Sequence, residues 1–148
     1  MNTLSRSAVP ELWEVDGSLR DIYVLNTTPA SWAAFLRLAR LRGADLRFEG
    51  APADFPDTAS GAEGLSHSHL LVLPVAGARL HCHFFASEEI ELDIDPAEVT
   101  SEEDHSAVLE FVRELSLLLG LPAIITPENF KGQPFLRFEP EQREWRVL

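Results

Sequence analysis

Apolar residues recur along this chain at two spacings, and each spacing marks a different kind of element. Trp32, Phe35, Leu36 and Ala39 repeat at helical intervals. Thr28 is the predicted N-cap of that helix. Pro29 suits its first position, where a missing N–H costs nothing. Gly43 fits the left-handed residue that closes the helix, and Arg40 and Arg42 suit the negative end of its dipole. A second helix is predicted from "TSEED", where Thr100 and Glu103 have capping-box spacing and acids fill the first turn. Val108, Phe111, Val112, Leu115 and Leu118 or Leu119 form its apolar stripe. Gly120 ends it, and Pro122 prevents its return.

The remaining segments repeat with period two. "LRDIYVL", from Leu19, follows a turn at Asp16–Gly17 and is expected to pair with "LWEV". "DLRFE" follows the first helix. "HLLVLPV" and "ARLHCHFF" flank Ala76–Gly77 as a predicted hairpin. In "EIELDID", Ile90, Leu92 and Ile94 face one way and the acids the other, which predicts a strand with one face in water. "AIIT", "PFLRFE" and "EWRVL" close the chain, separated by turns at Lys131–Gly132 and Glu139–Pro140–Glu141.

These elements predict an α+β fold: a mostly antiparallel sheet with two helices packed on one side. Each half reads as strand, helix, glycine and three strands, a pattern compatible with pseudo-duplicated β-α-β-β-β halves. Residues 1–10 are expected to form a flexible tail and residues 11–148 a single domain. "GAPADFPDTASGAEG", from Gly50 to Gly64, reads as disordered, with only Phe55 as a sizeable anchor.

Charge narrows the function. The net charge is −12, which argues against nucleic acid and anionic lipid as partners. No stretch reaches the ~18 apolar residues of a membrane span, and the first ten residues do not resemble a signal peptide. The single cysteine, Cys82, cannot form an internal disulfide, so a cytoplasmic location is expected. The acids cluster: Ser87 to Asp104 holds Glu88, Glu89, Glu91, Asp93, Asp95, Glu98, Glu102, Glu103 and Asp104, without a Lys or Arg. Such a segment can steer a basic protein partner, or it can be a solvated surface. Glu88, Glu89, Glu91, Asp93 and Asp95 are the candidate partner-binding residues.

"SHSHLLVLPVAGARLHCHFF" carries the other candidate chemistry. His67 and His69 share one strand face, as do His81 and His83. With Ala76–Gly77 as a two-residue turn, Val75 pairs with Ala78, Leu71 with Cys82, and the two histidine pairs lie on opposite faces. A loop centred on Ala76 would place His69 opposite His83, so that all four converge. Gly at the second turn position favours separation. Convergence would give imidazoles for a divalent metal such as Zn or Ni, yet no H-E-x-x-H or C-x-x-C accompanies them. No cofactor is otherwise expected. Cys82 reads as a buried, inert thiol. Asp93 and Asp95 share a face, but water-facing alternation explains that pair as well as a cation does.

The closing segment "FVRELSLLLGLPAIITPENFKGQPFLRFEPEQREWRVL" combines a helix ending in Leu-Gly, a short apolar strand, "TPEN" and a final hairpin with an aromatic. In this it resembles the end of small acidic bacterial immunity-type proteins, which neutralise a companion toxin. The resemblance covers about a quarter of the chain. It implies a stand-alone α+β protein that binds another protein, and it carries over no catalytic residues. The expected function is therefore a non-enzymatic module for a basic protein partner. The alternatives are a histidine-based metal protein or metal-dependent enzyme, and a domain that forms a homodimer through a strand edge such as "EWRVL".

Overall fold

A computed structural model describes residues 3–148. Nine strands form one antiparallel sheet in the order β3-β2-β4-β5-β6-β1-β7-β8-β9. In chain order the elements are β1 (Arg20–Leu25), α1 (Pro29–Leu41), β2 (Asp45–Phe48), β3 (Ala51–Pro52), α2 (Ala59–Glu63), β4 (His69–Val75), β5 (Ala78–Cys82), β6 (Glu89–Ile94), α3 (Glu102–Leu119), β7 (Ala123–Pro127), β8 (Leu136–Glu139) and β9 (Glu144–Val147). The helices pack on one side, over Ile22, Val24, Leu71, Leu73, Leu80, Ile90, Leu92 and Ile94. The stripes of α1 and α3 complete this core with Phe35, Leu36, Val108, Val112 and Leu115.

The order strand, helix, three strands holds only for the second half, β6-α3-β7-β8-β9. In the first half four strands follow α1, with α2 inserted between β3 and β4, and the sheet positions do not repeat either. The crossover from β1 through α1 lands on β2, beyond β6, β5 and β4. The crossover from β6 through α3 lands on β7, with only β1 between. β1 therefore has a partner on each side, β6 and β7. That excludes the expected pairing with "LWEV". Leu12 and Trp13 instead bury in turns before β1, and the Arg20 guanidinium donates to the carbonyls of Glu11, Leu12 and Glu14.

Residues 3–10 lie against the start of α3. Val9 is buried, the Arg6 N–H donates to the Glu102 carboxylate, and the Leu4 carbonyl bonds the ring of His105. The segment expected to be disordered contains β3 and α2. Thr58 caps α2, Ala62 is buried, and Phe55 packs on the core. α1 starts at Thr28 as expected, in a capping box completed by Ser31. α3 is capped one residue later than expected, by Ser101, whose hydroxyl accepts from the Asp104 N–H at 3.0 Å. Gly120, with φ 67°, closes it.

The β4–β5 hairpin has the two-residue turn: Val75 pairs with Ala78 and Leu71 with Cys82. The left-handed residue is Ala76, with φ 52°, and not the glycine beside it. Gly77 is needed for space. A Cβ there would stand 2.9 Å from Asp104 Oδ1, the same oxygen that accepts the Gly77 N–H at 2.9 Å.

Candidate partner-binding face

The alternation of β6 sends Ile90, Leu92 and Ile94 into the core and Glu89, Glu91 and Asp93 to the face opposite the helices. Strand register decides what they meet there. Asp93 lies opposite Asp21 on one side and His81 on the other, and Glu91 lies opposite Tyr23. His83, just past the end of β5, shares the His81 face. Its Nε2 is 3.4 Å from Asp93 Oδ2, and His81 Nδ1 is 3.6 Å from Asp93 Oδ1. The Tyr23 hydroxyl lies 3.2 Å from Asp21 Oδ2 and 3.3 Å from Glu91 Oε1. One proton thus serves two carboxylates. The segment after β7 closes this patch: the Asn129 N–H donates to Asp21 Oδ2 at 2.8 Å, and Lys131 pairs with Glu89. The Lys131 ammonium also sits 4.9 Å from the centre of the Tyr23 ring.

The outcome is a set of crowded, partly desolvated carboxylates. Asp21 is only 5% exposed, and like charges directly opposite on neighbouring strands are destabilising. Burial raises the pKa of Glu91, and the charge of Asp21 raises it further. Burial also raises that of Asp93, against the opposing pull of His83 and His81. Tyr23 is pushed above the usual phenol range by burial and then by Asp21 and Glu91. Of the basic groups nearby, Lys131 pairs with Glu89 within the face and only partly offsets the raised pKa of Glu91, while Arg79 is engaged with Glu98 and Arg137 with Glu139.

Of the predicted partner-binding residues, the structure brings Glu89, Glu91 and Asp93 to this face. Glu88 lies in the preceding loop, exposed. Asp95 leaves the face, because its Oδ1 accepts the Ala97 N–H at 2.9 Å and caps a short 3-10 turn. Sequence reasoning missed Asp21 and Tyr23. Their alternation with Ile22 and Val24 in "RDIYVL" is visible in the sequence, but which strand their polar face meets is set by a pairing between distant segments.

The four histidines do not form one site. The two-residue turn puts His69 on the opposite side of the sheet from His81 and His83. There its Nδ1 accepts the Ser66 N–H at 3.1 Å, and its ring lies 4.7 Å from that of Phe48 and 6.3 Å from that of Phe84. His67 occupies an exposed turn before β4. Among the described residues, no group of three or more His, Cys, Asp or Glu side chains is placed to hold a metal ion. Cys82 is buried and its pKa is pushed up to about 12, which leaves the thiol protonated and unreactive. Among the described residues, no helix is long and apolar enough to cross a membrane. Comparison with known proteins finds no matching family model, no matching curated protein and no matching solved structure.

Proposed function

We propose that this chain is a non-enzymatic module that binds a basic protein partner on the sheet face around Glu91 and Asp93. An immunity-type inhibitor of a basic, cytoplasmic target is its most specific form. One observation carries the reading: Asp21, Glu91 and Asp93 crowd the middle of the sheet and, among the described residues, no Lys or Arg is paired to any of them. Such crowding costs folding stability, and a partner's Lys or Arg would relieve it. Groups held at the expense of the fold are commonly held for binding. The resemblance of the closing segment to immunity-type proteins agrees with this reading.

The test compares two sets of isosteric neutralisations. The face set is Glu89→Gln, Glu91→Gln and Asp93→Asn. The control set, Glu14→Gln, Glu103→Gln and Glu141→Gln, removes the same charge from exposed positions elsewhere. A partner captured from the producing cells is purified, and its association rate with each set is measured. The face set should slow association about tenfold and flatten its salt dependence, with the control set close to the parent. Equal rates in the two sets, or no captured partner, would count against the face. β9 ends the sheet, so self-association through that edge is the competing reading. It would show as concentration-dependent elution on size exclusion.

A further inference from the structure

A cavity of about 300 Å³ opens between the start of α1, α2 and the segment joining β5 to β6. Trp32, Phe84, Phe85 and Leu65 line it, together with Glu63 and Glu88, and among the described residues no Lys, Arg or His lines it. The two carboxylates are exposed and make no ion pair or hydrogen bond with another described residue. The backbone that shapes the cavity is strained. Phe84 has φ 58°, a left-handed conformation uncommon for a bulky residue and often tied to function where it occurs. That turn sends Phe84 inward, 5.5 Å from the Trp32 ring. It sends Phe85 outward, 65% exposed and stacked on His83 at 5.3 Å. The loop is clamped in this form. The Ser87 carbonyl accepts from Trp32 Nε1 at 2.9 Å and Thr27 Oγ1 at 2.8 Å, and the Glu88 carbonyl accepts the Thr27 N–H at 2.9 Å.

From these features we infer that the cavity receives an arginine side chain of the protein partner. The guanidinium lies among the aromatic rings, with Glu63 and Glu88 as its counter-charges. Aromatic faces attract cations, most strongly where water is excluded. A planar guanidinium stacks on rings where an ammonium cannot, and its fork of donors suits carboxylates. A neutral apolar ligand would leave the two acids unused, and an anion would be repelled by them. The inference rests on the docking reading above and extends it. His83 links the two places, touching Asp93 on one side and stacking on Phe85 on the other. A partner lying on the acidic face would therefore reach the cavity over Phe85.

The test needs no partner. The full chain is titrated with N-acetyl-arginine methylamide, and separately with its neutral citrulline counterpart. The reporter is the indole N–H resonance of Trp32, assigned by its absence in Trp32→Phe. The arginine compound should shift that resonance saturably with a millimolar dissociation constant. Citrulline, or the Glu63→Gln/Glu88→Gln variant, should bind about tenfold more weakly. Phe85→Ala, an exposed position, should also weaken binding while the other indole resonances stay in place. Equal response to the two compounds, or no saturable shift at Trp32, would overturn the inference. The two proposals fail separately. If arginine binds here but the face neutralisations leave partner association unchanged, the face is wrong and the pocket stands. If they slow association and arginine does not bind, the reverse holds.

Discussion

Single residues carry much of the fold's specificity, and several are polar groups inside it. His105 is fully buried, and its tautomer follows from its neighbours. The Trp13 indole can only donate, so His105 Nδ1 accepts at 2.9 Å, and Nε2 must donate to the Leu4 carbonyl at 2.9 Å. Arg20 is 2% exposed and gathers the turns before β1. It donates to the carbonyls of Glu11, Leu12, Glu14 and Leu19 and to the Ser18 hydroxyl, and its guanidinium lies 5.4 Å from the centre of the Phe135 ring. A planar fork is needed to reach several acceptors at once. Arg20→Lys should therefore cost about 2–3 kcal/mol in urea unfolding, nearly as much as Arg20→Met, because either leaves the buried Leu12 carbonyl or its part-buried neighbours unpaired. A lysine variant as stable as the parent would show that charge, and not the fork, is what this site requires.

Elements show how a turn can separate its two usual demands on glycine. In the β4–β5 hairpin the left-handed position belongs to Ala76, while the close approach to Asp104 belongs to Gly77. The left-handed region costs a residue with a Cβ about 1–2 kcal/mol. Ala76→Gly should therefore raise the melting temperature or leave it unchanged. Gly77→Ala should lower it by several degrees, because the new Cβ displaces the carboxylate that also accepts from Thr100 N and Oγ1. Thermal melts of the two variants decide this, and a destabilised Ala76→Gly would contradict the assignment. Such local logic was partly legible. The turn length and the separation of His69 from His83 followed from the Ala76–Gly77 pair. The contact with Asp104 on α3 did not, because it joins segments distant in sequence.

Across the whole molecule, the acidic face sets the response to pH. Glu91 and Asp93 have pKa values above their unfolded ones, so the native state binds protons more readily than the unfolded chain. Stability should rise as pH falls through the interval between those raised values and the ordinary carboxylate range. Asp16 and Asp104 act in the opposite sense. Hydrogen bonds from Ser18, and from Gly77 and Thr100, hold their values down, so their contribution is lost only as pH falls below the ordinary range. Mild acidification should thus stabilise the protein before stronger acid unfolds it. Asp93→Asn should raise stability at neutral pH by roughly 0.5–1 kcal/mol, because it ends the burial of a charged carboxylate and, after that, the cross-strand repulsion with Asp21, which together outweigh the lost attraction of His83 and His81. It should also flatten the rise on acidification. Urea titrations at several pH values test both points. A parent that loses stability steadily on mild acidification would refute the charge crowding.

The sequence by itself determined α1 and α3, through their apolar stripes, caps and closing glycines. It also determined which residues of β6 face away from the core, because period two leaves only two faces to choose from. It did not determine which strands become neighbours. Sheet hydrogen bonds join backbone to backbone and carry little record of side-chain identity, so remote pairing is settled by how the helices cover the sheet. That covering set β6 and β7 on the two sides of β1, which brought Asp21 and Tyr23 against Asp93 and Glu91. It also gave Phe55 and Ala62 a core to pack on, so a segment composed like a loop became β3 and α2. The acids were legible as a run of charge. Only the tertiary structure decided which of them are crowded together, because desolvation and repulsion depend on distances that a linear sequence does not contain.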